Sequence, residues 1–334
     1  MKRLLKTPAA NLAFKAIVLL LLAGILYFEL TAKQNLPEIW QIFREKMQGA
    51  NRLWLVLAFA LMPLNWLAET RKWHQFVRRY EPMSRWKALR AVLAGVAVSL
   101  FTPNRVGEYG GRILFIKSKH QWKAVIANLV GNFAQILILF LTGVSGATWF
   151  MFQFTSIDQY LIIAYVVFSS VGLGLLFFTY FNIDLVAPFV RRLPYINHIK
   201  RFVKDVRVLR QFSRRELTEI LGWAIVRYLI YSTQYFCLLR FFDVNPGFIG
   251  GYLSIGAIFL LQTSIPLPPV MGLLARGNVA VHVWSHFGAN EVSILAATFG
   301  LWILNLILPA LFGTFFIFNV NITKSLGYED DPDR

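Results

Sequence analysis

The chain has 334 residues, of which 57% are hydrophobic and 15% are charged, whereas soluble domains carry roughly 25% charged residues. This composition excludes an ordinary soluble domain and indicates an integral membrane protein. The net charge of +17 is therefore interpreted through the positions of Lys and Arg along the chain, and we expect no nucleic-acid partner. The single cysteine, Cys237, excludes a disulfide framework and a multi-cysteine metal site, and we expect no metal and no cofactor.

Six apolar segments are long enough to cross a bilayer as helices. They are residues 12–30, 53–68, 124–150, 160–181, 217–241 and 292–318. The first segment has the charged start and apolar middle of a signal peptide, but Lys15 interrupts it and no A-x-A cleavage site follows. We therefore expect an uncleaved first membrane helix.

Two further apolar segments, residues 88–102 and 250–265, are too short to span and run into proline and glycine. Both flanks of the first carry Lys and Arg, which predicts that both flanks are cytoplasmic. A turn at membrane depth needs protein or a water-filled cavity to satisfy its backbone hydrogen bonds, so these breaks predict a polar interior. We expect re-entrant hairpins at about 88–118 and, from the opposite face, at about 250–288.

These elements predict one all-α domain over residues 1–334, a polytopic membrane protein with about six spanning helices and two oppositely oriented re-entrant hairpins. The placement puts both termini in the cytoplasm, and we expect the protein in the cell (inner) membrane. The stretch “PEIWQIFREKM” predicts an amphipathic helix on the outer interface. Residues 191–216 predict either an amphipathic helix on the anionic lipids of the inner leaflet or an ordinary positive-inside loop.

The two hairpin turns share a short sequence pattern, in “TPNRVGEYGGR” and “LPPVMGLLARG”. Each has a proline, a glycine four residues later and then an arginine. These residues are Pro103, Gly107 and Arg112 in the first turn and Pro268, Gly272 and Arg276 in the second. With hairpins that enter from opposite faces, the pattern indicates an inverted repeat, which transporters use to place broken helices around a midplane binding site. Chance similarity of so short a pattern is the alternative.

Charged side chains within a membrane are costly and are therefore candidates for function. Five qualify: Arg105, Glu108, Arg112, Arg227 and Arg276. Glu108 is three residues from Arg105 and four from Arg112, so on a helical turn it is placed to pair with either arginine and leave the other unneutralised. A surplus of guanidinium groups favours binding of an anion such as phosphate. The alternative is a structural set of ion pairs that pins the hairpin.

The stretch “SLFTPNRVGEYGGR” resembles the T-P-x-R-x-G-E motif of the lysylphosphatidylglycerol synthase transmembrane region, a family of flippase-like membrane proteins. The resemblance implies a domain that moves or presents anionic or lipid-linked head groups across a bilayer. Through the motif match, the resemblance assigns the family's functional positions to six residues of this chain: Thr102, Pro103, Arg105, Gly107, Glu108 and Arg112. In the second motif this chain has Pro269-Val270 and Ala275 where the family usually has a glycine pair and then a glutamate. Bifunctional members also have a cytosolic aminoacyl-transfer domain, which this chain lacks, so we expect no synthesis of lysylphosphatidylglycerol.

The leading hypothesis is a flippase or translocator for anionic phospholipid or lipid-linked head groups, with Arg105, Arg112 and Arg276 holding the phosphate and Glu108 setting the local charge. A membrane-embedded lipid-modifying transferase with Glu108 as general base is one alternative. A scaffold for an envelope-lipid or glycan enzyme is the other. No catalytic motif is recognised, which favours a transporter over an enzyme. The expected partners are a membrane phospholipid or lipid-linked substrate and anionic inner-leaflet lipids, with a homo-oligomer or an envelope enzyme left open.

Overall fold

A computed structural model describes residues 24, 36–100, 102–185, 206–265, 272–318 and 320, and no strand occurs among them. In chain order the α-helices are α1 (Leu36–Gln48), α2 (Arg52–Val77), α3 (Arg85–Ser99), α4 (Gly107–Ile113), α5 (Gln121–Phe154), α6 (Gln159–Phe181), α7 (Arg214–Phe241), α8 (Phe248–Thr263), α9 (Leu273–Trp284), α10 (Glu291–Trp302) and α11 (Leu308–Phe318). A π-helical turn, Ile303–Ile307, joins α10 to α11 in one continuous helix. The predicted all-helical fold is confirmed.

Four helices are long and apolar enough to cross a membrane: α2, α5, α6 and the combined helix Glu291–Phe318. They coincide with four of the six predicted spans. The predicted span 217–241 lies inside α7, whose 28 residues reach about 42 Å at 1.5 Å per residue but include several charges. The predicted span 12–30 lies outside the described residues apart from Gly24. The chain is therefore a polytopic membrane protein, as predicted.

Helix α6 presents apolar side chains on most of its surface. Phe168 is 81% exposed and Tyr160 is 75% exposed, whereas only Ile162 and Tyr180 of this helix are buried. A soluble protein rarely exposes a continuous apolar surface of this size to water. Helix α6 is therefore a peripheral helix that the lipid of a bilayer would cover.

The chain forms two helical hairpins, α3–α4 and α8–α9, that start from opposite ends of α5. At the base of the first, Glu81 lies 3.1 Å from His120, just before α5 begins. At the base of the second, the ring of Phe287 lies 5.2 Å from that of Phe154, where α5 ends. Because α5 is about 51 Å long, the two hairpins point towards each other from its two ends. The two hairpins are therefore oriented oppositely to each other, as the sequence predicted.

The packing between helices follows the pattern of an inverted repeat. Helix α2 packs along α7, α3 of the first hairpin packs on α11, and α8 of the second hairpin packs on α5. Glycines permit these close approaches. A Cβ on Gly256 of α8, for example, would lie 2.6 Å from the carbonyl oxygen of Thr142 on α5. The contacts of α3 with α11 and of α8 with α5 join helices that are far apart in the sequence.

The end of the molecule that carries residues 78–84, 114–120 and 206–216 is here called the basic end. The described residues 206–211 form a short 3₁₀ helix. Its apolar side chains Val208 and Leu209 are buried in the protein core, and Phe212 packs against Phe76 at 4.5 Å. Residues 191–205 lie outside the described residues. In the described part of this segment, these apolar side chains pack inside the protein.

Helix α1 is amphipathic, as predicted, and it lies at the end of the molecule opposite the basic end. Lys46 forms a 2.6 Å ion pair with Asp243, which follows α7. The ring of Phe43 packs edge-on against Phe241 at 5.6 Å. These contacts hold α1 against the junction of α7 and α8.

Candidate functional site

The turn of the first hairpin is built from left-handed backbone and a threonine cap. Asn104 and Arg105 have φ values of 50° and 58°, which non-glycine residues rarely adopt. The Thr102 hydroxyl oxygen accepts a 2.7 Å hydrogen bond from the backbone N–H of Gly107, where α4 begins. Such strained residues concentrate at functional sites, and here they set the direction of the Arg105 side chain. The turn joins α3, which ends at Ser99, to α4, which begins at Gly107.

Glycines bring the two arms of this hairpin into backbone contact. A Cβ on Gly111 would lie 2.5 Å from the carbonyl oxygen of Ala94 and 2.6 Å from the Cα of Gly95. A Cβ on Gly95 would lie 2.9 Å from the Cγ of Arg112. The glycines of the motif are therefore required for the close approach that turns Glu108 and Arg112 into the protein interior.

Glu69 of α2 is the centre of a buried ion network. Its carboxylate accepts 2.8 Å hydrogen bonds from Arg112 of α4 and from Arg227 of α7, and Lys72 lies 2.7 Å away. Arg112 also donates a short hydrogen bond to Glu108. Glu69, Lys72 and Arg112 are each at most 2% exposed. The Glu69 carboxylate thus connects α2, α7 and the first hairpin.

Amides and indole rings complete the surroundings of this network. Asn65 accepts a 3.2 Å hydrogen bond from Arg227 and donates a 2.6 Å one to Asn305, which lies in the π-helical turn. Turns of this kind are frequent at functional sites. The guanidinium groups of Arg227 and Arg112 stack over the rings of Trp66 and Trp73, each at 5.5 Å. The aromatic faces lower the cost of burying these cations.

Arg105 of the first hairpin and Arg276 of the second interact electrostatically beside the network. The Nε of Arg105 lies 3.8 Å from Glu108, and its side chain is 36% exposed. Arg276 interacts electrostatically with Arg105 and with Tyr231 of α7, and Tyr231 also interacts with Arg227. The turn of the second hairpin is predicted at residues 266–272, of which 266–271, including Pro268, lie outside the described residues.

The site carries a surplus of positive charge. Its cations are Lys72, Arg105, Arg112, Arg227 and Arg276, and its carboxylates are Glu69 and Glu108. Five cations and two carboxylates leave three positive charges. Such a surplus is expensive in a low-dielectric interior and is suited to an anionic ligand. No group of three or more metal-binding side chains occurs among the described residues.

Sequence reasoning found the five charged residues of the motifs and of α7 but missed Glu69 and Lys72. It ended the second span at residue 68, which left Glu69 and Lys72 outside the predicted membrane segments. The structure corrects this, because Lys72 is 2% exposed and belongs to the buried network. One signal was available: Asn65, Glu69 and Lys72 lie at spacings of four and three, which places them on one face of a helix.

The hairpin motif leads to a family assignment. The model of the family described as “Lysylphosphatidylglycerol synthase TM region” matches residues 12–313. The chain belongs to this family. Comparison with curated proteins and with solved structures finds no match. Membership in the lysylphosphatidylglycerol synthase transmembrane family indicates a lipid-related role in a membrane, and in this member Arg112 links Glu108 of the T-P-x-R-x-G-E motif to the ion network centred on Glu69.

Proposed function

We propose that the protein is a flippase that moves anionic phospholipid or lipid-linked head groups across the membrane. The observation that carries the proposal is the surplus of positive charge beside the first hairpin turn, where Arg105 lies 3.8 Å from Glu108 and interacts electrostatically with Arg276 of the second hairpin. Guanidinium groups bind phosphate through paired hydrogen bonds. Transporters with inverted repeats likewise place their substrate sites where broken helices meet.

The geometry divides the arginines into two roles. Arg112 is 1% exposed and lies between Glu69 and Glu108, so we assign it to holding the hairpin. Arg105 is accessible, and its Nε has no hydrogen-bond partner among the described residues. We assign Arg105 and Arg276 to the phosphate of the head group. Glu108 limits the local charge and keeps Arg105 oriented.

Reconstitution in liposomes tests this function. Intact protein is expected to accelerate the scrambling of fluorescent phosphatidylglycerol more than that of phosphatidylcholine. The Arg105→Gln variant should lose at least about tenfold in rate, since one charge-assisted contact to phosphate contributes about 1.5 kcal/mol or more. Lys119→Gln, an exposed substitution at the basic end, is the matched control and should scramble normally. Equal rates for the intact protein and Arg105→Gln would contradict the proposal.

We also propose that the protein lies in the cell membrane with the basic end in the cytoplasm, on the positive-inside rule. Cys237 is the only cysteine and is buried, so introduced cysteines can be labelled selectively. In intact cells, a membrane-impermeant maleimide should label Ser156→Cys, in the loop between α5 and α6, but not Lys119→Cys. Labelling of Lys119→Cys but not of Ser156→Cys would show that the basic end faces the outside and would contradict the proposed orientation.

A further inference from the structure

A groove opens at the basic end between the last turns of α2 and the first turns of α7. It contains a cavity of about 180 Å³ and an adjoining one of about 480 Å³ that share Gln75, Arg78 and Glu219. The smaller cavity is lined by Arg71, His74, Gln75, Arg78, Arg85, Glu219 and Trp223. Its volume equals that of about six water molecules at 30 Å³ each, which is sufficient for a phosphate group.

The charges lining the groove are only partly compensated. Glu216 pairs with Arg79, while Glu219 accepts a hydrogen bond from Gln75 and lies 3.4 Å from Arg215. In the part of the chain that the structure describes, the three arginines of the smaller cavity form no salt bridge. These are Arg71, Arg78 and Arg85. Three guanidinium groups without a carboxylate partner around one small cavity are a suitable arrangement for a phosphate.

The position of the groove connects it to the buried network. Glu219, Trp223 and Arg227 are spaced by four residues and lie on one face of α7. The groove is therefore about two helical turns, or roughly 12 Å, below Arg227 along α7.

We propose that this groove is a phosphate-binding site at the basic end, distinct from the Arg105–Arg276 site. In the proposed flippase it receives the phosphate of an anionic lipid head group before the head group reaches the hairpins. This role rests on the proposed function, whereas phosphate binding in the groove does not. The same chemistry fits a soluble phosphate compound, so the experiment separates the two sources.

The test measures binding of fluorescent phosphatidylglycerol to the full-length protein in detergent. The variant Arg71→Gln, Arg78→Gln should bind at least about tenfold more weakly, a change of about 1.4 kcal/mol. The matched control, Lys87→Gln, Lys119→Gln, removes the same charge from the basic end outside the groove and should bind within about twofold of the intact protein. All four side chains lie at the surface or are half-buried, so both variants should fold, which size-exclusion chromatography checks.

Equal weakening of binding in the two double variants would show diffuse attraction to the basic end and would overturn the proposal. Unchanged binding in both variants would also overturn it. Competition by glycerol phosphate and by inorganic phosphate identifies the source. Displacement by these compounds supports a site open to soluble phosphates, and retention of the lipid supports a site that requires the lipid head group. The binding assay does not depend on transport. If the groove variant binds lipid more weakly but the intact protein does not scramble lipid, the phosphate site in the groove is supported and only the flippase function is rejected.

Discussion

Replacing Glu69 with glutamine is expected to destabilise the protein by about 3–5 kcal/mol, because it removes the carboxylate that three cations share. Glutamine keeps the size of the side chain and one carbonyl acceptor, so the loss measures charge rather than packing. Arg112 would retain Glu108, and Arg227 would retain Asn65, but Lys72 would lose its only carboxylate among the described residues. The midpoint of thermal unfolding in detergent, followed by tryptophan fluorescence, measures the effect.

Two variants make this expectation specific. Glu45→Gln, on a side chain that is 69% exposed, should change the stability by less than about 0.5 kcal/mol. Adding Lys72→Gln to Glu69→Gln should restore part of the loss, since the unpaired buried ammonium is then gone as well. A Glu69→Gln protein as stable as the intact one would show that the network is not held by Glu69. The same would follow if the double variant lost more stability than the two single variants lose together.

Two adjacent glycines of the motif should respond in opposite directions to alanine. Gly111→Ala places a Cβ against the Ala94 carbonyl oxygen and the Gly95 Cα, and overpacking of this kind costs about 1–3 kcal/mol. Gly110→Ala meets nothing within 4 Å, so it should be neutral or stabilise the protein by about 0.5–1 kcal/mol through helix propensity. Thermal unfolding of the two variants side by side provides the comparison.

The Gly111→Ala variant should also lose transport, because separating α3 from α4 displaces Glu108 and Arg112 from the network. The Gly110→Ala variant should scramble lipid at the normal rate. Equal behaviour of the two alanine variants would mean that the arms of the hairpin need not be in contact, and that close approach is not what requires glycine in the motif.

Much of the fold was predictable because its causes are local. Apolar length identifies the spans, and charge bias on both flanks identifies a hairpin such as α3–α4. That Arg105 and Arg276 share one site stays a prediction, which rests on two opposed hairpins bringing their turns together. These features depend on sequence patterns that are read within a few dozen residues.

Other features depend on contacts that no local pattern reveals. Glu69 and Lys72 lie at the end of an apolar run, where charges usually meet water, and only the packing of α4 and α7 encloses them. Val208 and Phe212 alternate with basic residues as in a lipid-facing helix, but both are buried in the protein, and Phe212 packs against Phe76 of α2. Asn305 reaches Asn65 because a π-helical turn rotates it inward, a deviation for which sequence periodicity gives no sign.

The most direct test of head-group transport between the hairpins is a double-mutant cycle on the initial rate of phosphatidylglycerol scrambling. It compares Arg105→Gln, Arg276→Gln and the double variant with the intact protein. If both arginines hold one phosphate, each single variant should lose most of the rate, and the double variant should lose little more than the worse single one. Losses that simply multiply, or no loss at all, would contradict a shared head-group site.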